Sequence, residues 1–90
     1  MKTSEQLRDL SDGILQALYS KSSPPLDFKK ARSEKKLVKG WFTNYYLSKE
    51  EEQKITKSML KKVKLTISEK HAIEFDLFNY GPANTKKGDE

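Results

Sequence analysis

The sequence predicts an α+β domain, two or three amphipathic helices packed on one face of a C-terminal β-hairpin. An all-α small helical bundle is the alternative. Two observations carry this reading: apolar residues recur at helical spacing through the first two thirds of the chain, and at period two through the last third. A third bounds it, because 90 residues make one small core and no second one. Hydrophobic and charged residues each make up 34 % of the chain, so the core depends on patterning and on nine aromatic residues rather than on bulk hydrophobicity. Residues 1–80 are expected to form the domain and 81–90 a disordered tail without apolar periodicity.

The elements follow in order. Thr3-x-x-Gln6 is a capping box opening a first helix, along which Leu7, Leu10, Ile14, Ala17 and Leu18 form one stripe. Gly13 weakens that helix by about 1 kcal/mol relative to alanine. Pro24-Pro25 ends it, since neither residue can donate to a helical ladder. Asp27 caps a second helix, drawn from Asp27 to Tyr46 with Gly40 as a point of kinking. Ser48-x-x-Glu51 opens a third, marked by Ile55, Met59 and Val63, and Glu50, Glu51 and Glu52 suit the positive end of its dipole.

In the last third, Val63, Leu65 and Ile67 alternate with polar residues, as do Ile73, Phe75 and Leu77. A turn centred on Lys70 pairs the two arms and sets Lys64 across from Asp76. The rival reading is a helix, with Thr66-x-x-Glu69 as capping box and Gly81-Pro82 as stop. Such a helix sends Ile73 and Leu77 to one side and Phe75 and Phe78 to the other, so the hairpin is preferred. The expected core is Leu10, Ile14, Leu18, Phe28, Val38, Phe42, Tyr45, Ile55, Met59, Val63, Leu65, Ile73, Phe75 and Leu77.

Charge suggests a partner class. The net charge is +5, and the eleven residues from Lys29 to Lys39 hold six basic side chains against one acid, Glu34. In a continuous helix Lys29, Arg32, Lys36 and Lys39 share one face, opposite Leu37, Val38, Trp41, Phe42 and Tyr45. Lys61, Lys62 and Lys64 add a second patch, and Tyr46 lies nearest the basic side among the aromatics. These eight residues, Lys29, Arg32, Lys36, Lys39, Tyr46, Lys61, Lys62 and Lys64, form the candidate nucleic-acid surface. It would grip phosphates and release counterions, with little choice of sequence. The competing expectation is a protein-interaction module or small regulator, an acidic protein partner or a homodimer, using exposed aromatics while charge steers encounter.

Catalysis is not expected. A single histidine, His71, without a signalled partner supports neither a nucleophilic triad nor a metal site, and the four scattered glycines make no phosphate loop. No cofactor and no metal are called for. The chain has no cysteine, no signal-type apolar segment and no apolar run of the ~20 residues needed to span a bilayer. Cytoplasm is the expected compartment.

Overall fold

The computed structural model describes residues 2–37 and 44–82. Among them are four helices, α1 (Ser4–Lys21), α2 (Phe28–Ser33), α3 (Lys49–Leu60) and α4 (Ile67–Tyr80). The α+β expectation is overturned: the described residues contain no sheet and no hairpin, and β pairing there is one isolated antiparallel bridge between Ser23 and Tyr46. The fold is mostly helical, as the alternative reading had it.

α1 is the centre of the bundle, and α2, α3 and α4 each pack against it. Its capping box forms as the sequence predicts. The Gln6 N–H donates to Thr3 Oγ1 at 3.1 Å, and the Thr3 N–H donates to Gln6 Oε1 at 2.9 Å. Ile14, Leu15, Leu18 and Tyr19 of α1 are buried together with Phe28, Leu47 and Ile73. Leu10, Tyr45, Ile55, Met59, Leu65 and Leu77 pack at the margin of that core, and Val63 is half-buried. Val38 and Phe42 lie outside the described residues.

α2 is far shorter than the helix drawn from Asp27 to Tyr46. It starts where expected, with Asp27 Oδ1 accepting from the Lys30 N–H at 3.0 Å, but ends at Ser33. Lys35 takes φ 57°, the left-handed conformation that reverses a helix end. The Lys35 N–H then donates to the Arg32 carbonyl and the Lys36 N–H to the Ala31 carbonyl, both at 3.0 Å. Those two bonds make a Schellman stop. Glycine usually fills the left-handed position, so a lysine there leaves no mark in the sequence.

α4 replaces the hairpin. Glu69 accepts the Thr66 N–H at 2.9 Å, and Thr66 Oγ1 accepts the Glu69 N–H at 3.2 Å. This reciprocal cap satisfies backbone donors that a strand would have left for a cross-strand partner. Glu69 does more than cap. Its second oxygen accepts the Lys2 N–H at 2.7 Å, joining the start of α4 to the start of α1 across the sequence. At the other end Tyr19 Oη donates to the Tyr80 carbonyl. The two helices are therefore clamped at both ends and run parallel. The Lys64–Asp76 cross-strand pair disappears with the hairpin, and Phe75, expected in the core, lies 67 % exposed. Gly81 and Pro82 continue past α4, with Pro82 buried; the expected tail beyond them lies outside the described residues.

Candidate interaction surface

Among the described residues the basic stripe does not share one helix face, because α2 ends at Ser33. Lys29 is exposed on α2, and its backbone N–H donates to Gln16 Oε1 of α1 at 2.8 Å. Arg32 turns inward. Its Nε lies 3.6 Å from Asp12 Oδ1, and its guanidinium carbon stands 5.3 Å from the Phe28 ring centre and 5.8 Å from that of Tyr80. Burial pushes the Asp12 carboxyl above its ordinary value, while Arg32 and then Arg8 pull it back. Arg32 thus ties α2 to α1 and α4 through an ion pair and two ring contacts. A phosphate would have to displace those contacts.

Lys36 lies beyond the helix end and pairs with Glu34 at 3.1 Å, while Lys39 falls outside the described residues. Tyr46 is half-buried, with its backbone held by Ser23: the Ser23 N–H donates to the Tyr46 carbonyl at 2.8 Å, and the Tyr46 N–H donates to the Ser23 carbonyl at 3.1 Å. Lys61 and Lys62 sit in the turn after α3, and Lys64 in the linker to α4, all three exposed. α2 meets α1 at Asp12, Gln16 and Tyr19, whereas α3 meets it along Gly13 and Ala17. At 3.6 residues per turn these lines are about 100° apart on α1. Lys29 and Arg32 stand on α2, and Lys61, Lys62 and Lys64 follow α3, so the two groups are attached to elements that meet α1 along different lines.

The conspicuous surface is on α4. Its inner side holds Glu69, Ile73 and Tyr80, with Ile73 wholly buried. On the opposite side Ile67, His71, Phe75 and Phe78 fall within about 80° of arc at 3.6 residues per turn. All four are exposed, Ile67 at 74 %, Phe75 at 67 % and Phe78 at 87 %. α4 is thus apolar on two opposite faces, and among the described residues its packing against α1 covers only one. Single exposed apolar residues are ordinary, but a ridge of three large ones along one helix is a candidate contact surface.

Comparison with protein-family models, with curated proteins and with solved structures gave no match to this chain. Its function has to be read from its own surface.

Grooves flank the ridge on both sides. One, between α1 and α4, has a volume of about 620 Å³ and is lined by Leu7, Arg8, His71, Ala72, Phe75 and Asp76 among others. The other, between α3 and α4, runs past Glu52, Thr56, Leu60, Leu77 and Phe78. Burial pushes the Glu52 carboxyl above its ordinary value there. Among the described residues no group of three or more His, Asp or Glu side chains is placed to hold a metal ion. The ridge was half legible in the sequence: the same scatter of Phe75 and Phe78 away from Ile73 that counted against a helix is what an exposed second face produces.

Proposed function

We propose that this chain is a protein-interaction module whose contact face is the outer ridge of α4. The observation that carries the reading is the exposure of Ile67, Phe75 and Phe78 on a helix that is clamped in place at both ends. A rigid helix face loses little conformational freedom on docking, so its apolar area converts efficiently into affinity. The lysines of α2 and of the α3–α4 turn surround the bundle with positive field, which would speed encounter with an acidic partner without fixing the complex.

Nucleic-acid binding through the lysines is the competing reading, and one experiment separates them. Fluorescence anisotropy of labelled single-stranded and duplex DNA and RNA is measured at 50 and 200 mM salt, with the natural chain and with a Phe75→Ser/Phe78→Ser variant. The proposal expects no saturable binding at 200 mM salt, and an unfolding curve for the variant close to that of the natural chain. Saturable binding that persists in this variant and is lost in Lys36→Glu/Lys39→Glu would replace the proposal with backbone recognition of nucleic acid.

A further inference from the structure

We infer that the occupant of the α4 ridge is a second copy of this chain, docked antiparallel about a two-fold axis; the inference rests on the interaction face proposed above. The geometry of the helix supports it. A two-fold interface must be complementary to itself, so each group needs its match on the same surface. The midpoint of the ridge lies between Ala72 and Ile73, and Ile67 and Phe78 are equally far from it. A perpendicular two-fold axis at that midpoint sets Ile67 of each copy against Phe78 of the other.

The charged flank obeys the same symmetry. Lys70 and Glu74 lie on one side of the ridge, both exposed, and neither has an ion pair among the described residues. The two-fold operation brings Lys70 of one copy to within one residue's rise, about 1.5 Å along the axis, of Glu74 of the other, and does so twice. On the opposite flank it lays Phe75 beside His71 of the second copy. A parallel pairing breaks this pattern, because each Glu74 then lies beside the other copy's Phe75. Of the two pairings, only the antiparallel one brings opposite charges together, and in it the apolar residues meet as well.

One helix face is a small interface, so a dissociation constant of roughly tens of micromolar is expected. Apolar contact dominates it, and two chains of net charge +5 repel at low salt. Raising the salt should therefore leave the dimer intact, the reverse of its effect on phosphate binding.

The test is sedimentation velocity of the full chain from 5 to 500 µM, in 50 and 500 mM salt. The expected result is a mass rising from 10.4 kDa towards twice that value. Lys70→Glu and Glu74→Lys should each weaken association about tenfold, since each turns two attractive pairs repulsive. The double variant Lys70→Glu/Glu74→Lys should restore it, and helical circular dichroism of each variant confirms folding. A monomer at 500 µM, or a double variant no stronger than either single one, would overturn the dimer. A photo-crosslinking benzoylphenylalanine in place of Phe78 separates this failure from failure of the interaction face. Crosslinks to a different protein, from a chain that stays monomeric, overturn the second copy and leave the face standing. Crosslinks to no other chain, of this protein or any other, overturn both.

Discussion

Replacing Ile73 and Phe75 one at a time by alanine distinguishes the inner from the outer face of α4. A period-two hairpin sends both side chains into the core and makes both truncations costly. The helix separates them: Ile73 is 0 % exposed within the cluster around Leu15, Leu18, Tyr19 and Phe28, while Phe75 is 67 % exposed. Ile73→Ala removes three buried carbons and leaves a cavity, which costs about 2–5 kcal/mol. At about 4–8 °C per kcal/mol for a domain of this size, the melting temperature falls by roughly 10 °C or more. Phe75→Ala removes the larger side chain but little packing, and alanine is the better helix former by about 0.5 kcal/mol. Its net effect should lie within about 0.5 kcal/mol of zero. The assay is urea unfolding followed by circular dichroism at 5 µM, where the chain is expected to be monomeric. Equal losses for the two variants would refute the helical assignment and return Phe75 to the core.

Further expectations concern the other helices and the clamp. Gly13→Ala should stabilise the fold by about 0.5–1 kcal/mol, because the added Cβ meets Met59 Cε at an ordinary 3.9 Å; a loss in chemical denaturation would mean that α1 and α3 pack more closely. Lys35→Gly should stabilise by up to about 1 kcal/mol by relieving the left-handed backbone, and a destabilised variant would show that α2 does not end in this way. Hydrogen bonds from the Thr66 and then the Lys2 N–H hold the Glu69 carboxyl below the ordinary glutamate range. Its stabilising effect is therefore complete above that range and lost as pH falls through the lowered value. Glu69→Gln should flatten this acid limb in urea titrations between pH 3 and 7, and an unchanged limb would remove Glu69 from the clamp.

The parts of the fold that the sequence showed are those fixed by neighbouring residues. Thr3 with Gln6, Pro24-Pro25, Asp27 and Ser48 each act within one helical turn, and the starts of α1, α2 and α3 followed from them. The end of α2 depends on Lys35 adopting a conformation for which no local residue preference argues. α4 was misread because apolar residues on opposite helix faces imitate alternation. Ile73 and Phe75 are two residues apart, so about 200° of helical rotation separates them, close to the half-turn between neighbouring strand residues. The capping box at Thr66 and Glu69 was the better signal, and it was visible. Arg32 shows what no local pattern reveals: a side chain on a lysine-rich stretch becomes structural once Asp12, Phe28 and Tyr80 gather around it.

The central claim, that two copies of this chain meet through the outer face of α4, is tested most directly by an amide NMR dilution series on the ¹⁵N-labelled chain, from 500 to 5 µM. The account predicts shifts that grow with concentration at Ile67, Lys70, His71, Glu74, Phe75 and Phe78, with α2 and the Lys61–Lys64 stretch unmoved. Shifts concentrated on the lysines instead, or none at any concentration, would contradict it.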